Sequence, residues 1–385
     1  MHSSLSTTSD LDAYTETCRA TFAGRPEAHR IALYTTMADR DPDTSLHLYR
    51  LAGACLDGGA VELWTRGVRL AFERPHESRR TLFERREARI RLGEFTGWQD
   101  LACWENDPEF GRGNATCPPE GYAWWDGTED LSAKSVRITL MGGLGDAIWW
   151  LRFIEPLHAC TPGHIYWDAD SVLTELVRHN IRHLDRVTVI GNGINEGPFD
   201  RHLSAVMLPT VVGRLPNFSP WSAPDAGAPR SRTGRARIGV AWASSPYPID
   251  HLERTIPLSV LAPMFWRDDV EIYSLQVGER ATDALYYPNV RAAEPPLQSF
   301  SDTARWMASM DGVISVDTSV AHLAGQLGIP TLLLLRYAAD RRWGLDHSTP
   351  WYPSVRLLRQ QFPGDWLSVL SQVWDALDAG WPVTG

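Results

Sequence analysis

Residues 313–335 have the sequence VISVDTSVAHLAGQLGIPTLLLL. A short apolar run over 312–317 ends in polar residues, a segment with helical apolar spacing follows, and a second apolar run, TLLLL, occupies 331–335. Two short apolar runs joined by a helix are typical of parallel strands that are buried on both faces. This stretch therefore predicts a βαβ unit within a parallel sheet.

The same alternation of strands and helices extends over the last two thirds of the chain. We predict strands at 136–141, 164–169, 186–191 and 204–208, and then at 237–243, 271–276, 312–317 and 331–335. The segment 216–236, rich in Pro, Gly and Ser, divides the two sets, and GDWLSVLSQVWDAL predicts a C-terminal helix. The fold class is therefore α/β, with two Rossmann-like domains whose strands point their carboxyl ends into one cleft.

The first third of the chain has a different pattern. Residues 10–105 carry apolar residues at a spacing of three to four, interrupted by Gly, Pro and Asp, which predicts short helices. The run RLGEFTGW at 91–98 resembles the small-residue turn of a tetratricopeptide repeat, whereas an irregular helical domain is the alternative. We place an all-α helical-hairpin domain at 1–115, one Rossmann-like domain at 116–230 and the other at 231–385.

Composition narrows the class of protein and its compartment. The net charge of -10 disfavours nucleic-acid binding, which needs clustered positive charge. No apolar run approaches the roughly 18 residues of a membrane span, and the N-terminus lacks the apolar core of a signal peptide. Five cysteines without a CxxC pair indicate neither a disulfide framework nor a zinc site, so a reducing cytoplasm is predicted. They are Cys18, Cys55, Cys103, Cys117 and Cys160.

One motif follows the first predicted strand of the α/β region. Gly143 and Gly145 would let the backbone approach a ligand at the start of a helix, where free N–H groups point outward. A dinucleotide fingerprint is disfavoured, because its third glycine would fall on Ile148. Asp146 then places a carboxylate at the helix start facing the cleft, although Asp at that position also serves as a helix cap.

A second motif follows the strand at 312–317. Asp317, Thr318 and Ser319 lie where hydroxyl groups and backbone amides can hold an anion such as a pyrophosphate. His322 falls one turn after Thr318 on the same helix face, where the alternative is a buried packing residue.

A third motif, Trp-Ala-Ser-Ser at 242–245, precedes a Pro-rich loop and Arg254. A guanidinium can bind two phosphate oxygens at once, and Lys134 is the single lysine among 37 basic residues, so an arginine is the expected phosphate ligand. Arg254 could instead be an ordinary surface residue. The sequence Asp-Ala-Asp at 168–170 closes a strand, and we predict no metal site there.

Several stretches together resemble a known enzyme group. They are GGLGD after a strand, WASSP followed by ERTIPL, SLQVGE, and the stretch VISVDTSVAHLAGQLGIPTLLLL. They look like the heptosyltransferase-like glycosyltransferases of family nine, in the branch with a tetratricopeptide region at the N-terminus. The likeness covers residues 123–380.

The resemblance implies a GT-B fold and a metal-independent, inverting transfer of a sugar from a nucleotide diphosphate, with no cofactor. It implies that 116–230 is the acceptor side and 231–385 the donor side. Asp146 matches the catalytic base of the family. The donor-binding residues that it implies are Gly143, Gly145, Ser244, Arg254, Gln276, Asp317, Thr318, Ser319 and His322.

The chain also departs from the family. Arg254 occupies the segment where lipopolysaccharide heptosyltransferases use a lysine, and Ser319-Val320 replaces a common aspartate-glycine pair. ADP-heptose is the donor that the resemblance favours, with an undetermined small-molecule acceptor, and UDP-N-acetylhexosamine is the alternative donor. A peptide or protein O-glycosyltransferase and a non-catalytic helical-repeat scaffold are the alternative functions.

Overall fold

The computed structural model describes residues 4–41, 45–74, 78–105, 123–125, 128–140, 142–160, 163–191, 197–225, 234–246 and 251–382. The chain divides into two compact units. The first comprises residues 1–104 with 337–345 and 360–365, and the second comprises 105–336 with 346–359 and 366–385. The predicted domain boundaries at 115/116 and 230/231 lie outside the described residues.

The first unit is built from helices, as predicted. They are α1 (Ser4–Thr21), α2 (Ala28–Arg40), α3 (Ser45–Asp57), α4 (Val61–Phe72), α5 (Arg79–Arg91) and α6 (Thr96–Glu105). The apolar faces of α1 to α5 share one core, in which Tyr14, Phe22 and Leu51 are fully buried. Helices α2 to α6 have 10 to 13 residues each, which is marginal for a helix alone in water, so packing stabilises the set.

The N-terminal half of the second unit contains a five-stranded parallel sheet in the order β1-β5-β2-β3-β4. Its strands are β1 (Ala123–Trp124), β2 (Val136–Thr139), β3 (Ile165–Ala169), β4 (Val187–Gly191) and β5 (Arg201–Ser204). The accompanying helices are α7 (Leu144–Trp150), α8 (Ile154–Cys160), α9 (Ser171–Ile181) and α10 (Leu208–Val212). Ile138 of β2 pairs with Trp167 on one side and Leu203 on the other, which places β2 at the centre of the sheet.

The prediction of a strand at 204–208 is wrong. β5 ends at Ser204, and the apolar run that follows forms a 3-10 turn at 205–207 and then α10. A short apolar run cannot by itself distinguish a buried strand from a buried helical turn. The true strand contains Arg201 and His202, so its sequence looks polar although it is largely buried.

The C-terminal half contains a six-stranded parallel sheet in the order β11-β10-β9-β6-β7-β8. Its strands are β6 (Ala236–Ala241), β7 (Val270–Ser274), β8 (Val290–Arg291), β9 (Gly312–Val316), β10 (Thr331–Leu335) and β11 (Val355–Arg359). The helices are α11 (His251–Arg254), α12 (Leu258–Leu261), α13 (Phe300–Met307), α14 (Ser319–Gln326) and α15 (Trp366–Asp378). The two parallel sheets and the helical region that precedes them are confirmed.

The strand order fixes where a ligand can enter the C-terminal sheet. The chain builds outward from β6 through β7 and β8, then returns to the other side of β6 and continues through β9, β10 and β11. The order therefore reverses between β6 and β9, and open α/β sheets bind ligands at the carboxyl ends of the strands beside such a reversal. In the N-terminal sheet the corresponding reversal lies beside β2, between β5 and β3.

The first unit also contains a loop that follows β10. Within residues 337–345, Arg341 Nη1 lies 3.0 Å from Glu87 Oε2, and the carbonyl of Ala339 accepts a hydrogen bond of 2.7 Å from Arg91 Nη1. Residues 337–345, from near the C-terminal end of the sequence, therefore contact the helices of the first unit. Helix periodicity over residues 10–105 contains no signal for this contact.

Candidate functional site

The turn after β2 holds the carboxylate of Asp146 at the start of α7. Gly143 N donates a hydrogen bond of 2.7 Å to Asp146 Oδ2, so the carboxylate satisfies a backbone N–H that the helix itself leaves unpaired. Gly142 has a φ of +96°, and a Cβ there would lie 2.3 Å from the same oxygen. Only glycine fits at that position. Asp146 is half-buried, so it keeps a partly accessible carboxylate while it also caps the helix.

The turn after β9 is built differently. Asp317 directly follows the strand and is only 5% exposed. Thr318 is the N-cap of α14 with extended backbone, and Ser319 is its first residue, both half-buried. Two hydroxyl-bearing side chains thus stand at the positive end of a helix dipole, which is a favourable place for an anion.

These two turns are in contact. A Cβ on Gly145 would lie 2.7 Å from His322 Cδ2 and 3.4 Å from the Cα of Ser319, so α7 can approach α14 only because position 145 is glycine. His322 is 2% exposed, and its Nδ1 lies 2.9 Å from the hydroxyl of Tyr352. The imidazole therefore packs between the two turns and is held by the tyrosine.

Arg254 lies beside the turn after β9. Its Nη1 is 3.9 Å from Asp317 Oδ2 and 3.5 Å from the carbonyl oxygen of Asp317, and its side chain is 18% exposed. The preceding residue, Glu253, forms an ion pair with Arg336 just beyond β10. These contacts hold the guanidinium next to Asp317, Thr318 and the start of α14, where it can contribute positive charge.

The amide of Gln276 joins the loops after β6 and β7. Its Oε1 accepts hydrogen bonds from the backbone N–H groups of Trp242 and Ala243, at 3.1 and 2.9 Å. Its Nε2 donates to the carbonyls of Ala243 and Val277, at 3.2 and 3.1 Å. All four hydrogen-bonding positions of the amide are therefore used by the backbone. That Gln276 binds a donor stays a prediction.

Ser244 has a similar supporting position at the end of the β6 loop. It is 8% exposed, its N–H donates to Thr255 Oγ1 at 3.2 Å, and its hydroxyl donates to the carbonyl of Ser245 at 3.3 Å. A cavity of about 480 Å³ opens beside Gln276 at the end of β7, with Val277 and Pro288 in its walls. A donor-binding role for Ser244 likewise stays a prediction.

The carboxylates of Asp168 and Asp170 have structural contacts. Asp168 accepts two hydrogen bonds of 2.9 Å from Arg137, and burial raises the pKa of this carboxyl despite the arginine. Asp170 is the N-cap of α9 and accepts from the N–H of Val172 at 3.0 Å. In the described part of the chain, no group of three or more His, Cys, Asp or Glu side chains is arranged to hold a metal ion.

No local sequence pattern predicts the aromatic cluster behind the site. The guanidinium of Arg152, just after α7, lies over the rings of Trp149, Trp351 and Tyr352 at 5.0–5.1 Å from their centroids. A cation over the face of an aromatic ring is attracted by the ring's electrons, so these contacts stabilise the position of the guanidinium. Trp351 and Tyr352 come about 200 residues after Arg152 in the chain, so no local pattern could have paired them.

The chain is similar in sequence to one curated protein. No family model matches the chain. Protein FlbA of Caulobacter vibrioides is 25% identical over 285 residues, which are 66% of this chain and 48% of that protein. The chain thus spans about half the length of the curated relative that it matches.

The chain is also similar in structure to solved glycosyltransferases. A family 9 glycosyl transferase from Veillonella parvula has 14% sequence identity and a TM-score of 0.50, over 66% of this chain and 98% of that one. The ADP-heptose LPS heptosyltransferase II of E. coli has 13% identity and a TM-score of 0.45, over 64% and 98% of the two chains.

The chain shares the fold of a family-nine glycosyltransferase. The resemblance drawn from the sequence and the GT-B prediction are thus confirmed at the level of the fold. Among the described residues, no helix has the length and apolar character needed to cross a lipid bilayer.

Proposed function

We propose that this protein is an inverting glycosyltransferase that moves a sugar from a nucleotide diphosphate to an acceptor hydroxyl without a metal ion. The observation that carries the proposal is the packing of Gly145 against His322 and Ser319. It brings the carboxylate of Asp146 close to the hydroxyl-bearing turn after β9. In this proposal Asp146 is the proton acceptor and the turn after β9 is the anion site. Both follow the carboxyl ends of strands in parallel sheets, where Rossmann-like folds bind ligands.

The turn after β9 and Arg254 would bind the donor. The hydroxyls of Thr318 and Ser319 and the N-terminus of α14 would hold the diphosphate, and the guanidinium of Arg254 would balance its charge. As the glycosidic bond breaks, negative charge grows on the leaving phosphate oxygen. A fixed cation and helix dipole beside that oxygen stabilise the transition state more than the ground state. A metal ion is then unnecessary for that task.

Asp146 would act on the acceptor. Its carboxylate takes the proton from the acceptor hydroxyl while that oxygen forms a bond to the anomeric carbon of the sugar. The bond from the anomeric carbon to the phosphate oxygen breaks on the opposite face, and the nucleoside diphosphate leaves. A single displacement of this kind inverts the configuration of the anomeric carbon.

We propose ADP-heptose as the donor, with its heptose transferred to a small-molecule acceptor in the cytoplasm and ADP released. The nucleoside would occupy the cavity of about 480 Å³ beside Gln276, which opens at the carboxyl end of β7. The resemblance to heptosyltransferases supports the adenine nucleotide, and Arg254 would replace the lysine of that family.

A thermal-shift panel tests this function. The full chain is heated with ADP, UDP, GDP and NAD, and then with ADP-heptose and UDP-N-acetylglucosamine, with the matching monophosphates as controls. A ligand at 100 times its Kd should stabilise the protein by about 2.7 kcal/mol. We expect ADP and ADP-heptose to raise the Tm and AMP to raise it much less, because AMP lacks the β-phosphate. Stabilisation by NAD alone, or by no diphosphate, would overturn the proposal.

A further inference from the structure

A second cavity, of about 620 Å³, lies away from Asp146 and Arg254. Helices α8 and α9 of the N-terminal half form one wall. The connecting segment, residues 214–222, leads toward the C-terminal half and forms another wall. Gln326, the last residue of α14, also lines it. Ser319 begins that helix seven residues earlier, so about 10 Å of helix separates this cavity from the turn after β9.

The connecting segment beside the cavity is tied to both halves. On the C-terminal side, Gln326 Nε2 donates to the carbonyl of Ser219 at 2.6 Å, and the Gln326 carbonyl accepts from Trp221 N at 2.8 Å. On the N-terminal side, Asn180 and Ser222 exchange two hydrogen bonds, of 2.9 and 3.1 Å. A molecule in the cavity would therefore contact both halves and the segment that joins them.

The lining carries an excess of positive charge. Arg152, Arg182 and Arg214 line the cavity, whereas Glu155 is its acidic side chain and lies 3.1 Å from His183 Nε2. Within the described residues, Arg182 donates only to a backbone carbonyl, and Arg214 has no hydrogen-bond or ion-pair partner. Among the described residues, 19 arginines lie within ion-pair distance of a carboxylate, so two guanidiniums without one at a single cavity favour an anionic occupant.

A buried hydrogen-bond acceptor in the wall sets a second requirement for the molecule that binds in the cavity. Gln326 is 2% exposed, and its Oε1 has no hydrogen-bond partner among the described residues. Its Nε2 already faces the carbonyl of Ser219, which fixes the orientation of the amide. Buried polar atoms are nearly always paired, so a hydroxyl group on a bound molecule would satisfy this oxygen.

We propose that this cavity binds a small polyanion that also carries a hydroxyl group. Its volume lies within the range of about 300–1,000 Å³ that is usual for small-molecule sites. The acidic groups would pair with Arg182 and Arg214, and the hydroxyl would donate to Gln326. The bound molecule bridges α9, the connecting segment and α14. The site does not depend on the chemistry at Asp146.

Titration calorimetry on the full chain tests the site with two probes that share these groups. Citrate supplies three carboxylates and a hydroxyl, and fructose 1,6-bisphosphate supplies two phosphates and several hydroxyls, so the stronger binder shows which acid group the site prefers. We expect saturable binding of at least one probe at one molecule per chain. Binding should weaken at least about 30-fold in the double variant Arg182→Ala, Arg214→Ala, because each charged hydrogen bond contributes about tenfold.

Two further variants separate the site from general charge effects and from the candidate site at Arg254. Arg25→Ala with Arg40→Ala removes two exposed arginines from the helical unit, so it matches the change in net charge. Arg254→Ala removes the cation beside the turn after β9. Both should bind the probes as the unmodified protein does. Equal weakening in the control double variant, loss of binding in Arg254→Ala, or no saturable binding of either probe would overturn the proposal.

Discussion

The turn after β2 and the turn after β9 both lead from a buried parallel strand into a helix, and each carries an aspartate. Asp146 lies inside its helix, is half-buried, and accepts a hydrogen bond from the backbone of Gly143. Asp317 precedes its helix, is 5% exposed, and lies 3.9 Å from the guanidinium of Arg254. The two carboxylates therefore have different partners and different access to solvent.

This difference supports different chemical roles. A general base must be reached by the acceptor and must pass its proton onward, which requires an accessible carboxylate. A buried carboxylate held next to an arginine has little access to solvent and is suited to orienting a ligand. We therefore propose that Asp146 transfers the proton and that Asp317 positions the ligand, although their settings in the sequence are alike.

Asp146→Asn should have the largest effect. Asparagine keeps an oxygen that can accept from Gly143, so the cap of α7 is preserved, but the amide cannot take a proton. We expect turnover to fall by about 10²- to 10⁴-fold, the usual contribution of general acid–base catalysis. Nucleotide affinity by calorimetry and the unfolding midpoint should stay near those of the unmodified protein.

Asp317→Asn is the matched variant for that experiment. If Asp317 positions the donor, this change should raise the KM for the sugar nucleotide more than it lowers kcat. Should Asp317→Asn remove turnover while Asp146→Asn retains it, the two roles would have to be exchanged.

Arg254→Ala should have the next largest effect. Loss of a charged hydrogen bond to the diphosphate should weaken ADP binding by about 1.5–3 kcal/mol, or roughly 10- to 150-fold. Calorimetry with ADP and with adenosine measures it, and adenosine affinity should be unchanged because adenosine has no phosphate.

Two substitutions serve as controls for the role of Arg254. Arg254→Lys should recover part of the ADP affinity, because an ammonium keeps the charge without the planar fork of donors. Arg280→Ala removes an arginine that is 51% exposed and paired with Asp283, and it should leave ADP binding intact. Equal losses in Arg254→Ala and Arg280→Ala would make Arg254 an ordinary contributor to the surface potential.

The turns after β2 and β9 could be predicted from the sequence, because local residue patterns encode them. The strand predicted at 331–335 coincides with β10, and topology then places the ends of β6 and β9 side by side. β8 and β11 were not predicted. β8 has two residues, and arginines at the second and last positions of β11 interrupt its apolar pattern.

Contacts between distant residues could not be predicted in the same way. The pairing of His322 with Tyr352 and that of Arg341 with Glu87 join different segments, and no periodicity records which side chains will meet. The resemblance implies a donor-binding role for Gln276, but the hydrogen-bond partners of its amide depend on the loop after β6 lying beside the loop after β7.

The smallest expected effect concerns Gly143 and Gly145, and it tests directly whether the two turns touch. A Cβ at Gly145 would lie 2.7 Å from His322, whose ring is held by Tyr352 and cannot easily move. A Cβ at Gly143 would lie 3.8 Å from Asp146, which is ordinary contact, and its φ of -92° suits alanine. Gly145→Ala should therefore cost about 1–3 kcal/mol by overpacking, measured by urea unfolding, and Gly143→Ala well under that.

A double variant locates the source of that cost. His322→Ala removes the ring that the new methyl group would meet, so Gly145→Ala should cost less in that background than in the unmodified protein. Residues in contact show coupling energies of about 0.5–3 kcal/mol in such cycles, whereas independent residues show almost none. Additive costs would mean that α7 and α14 do not pack through these two residues. Asp146 would then lack the support that brings it close to the turn after β9, and the pairing of a base with an anion site would lose its structural basis.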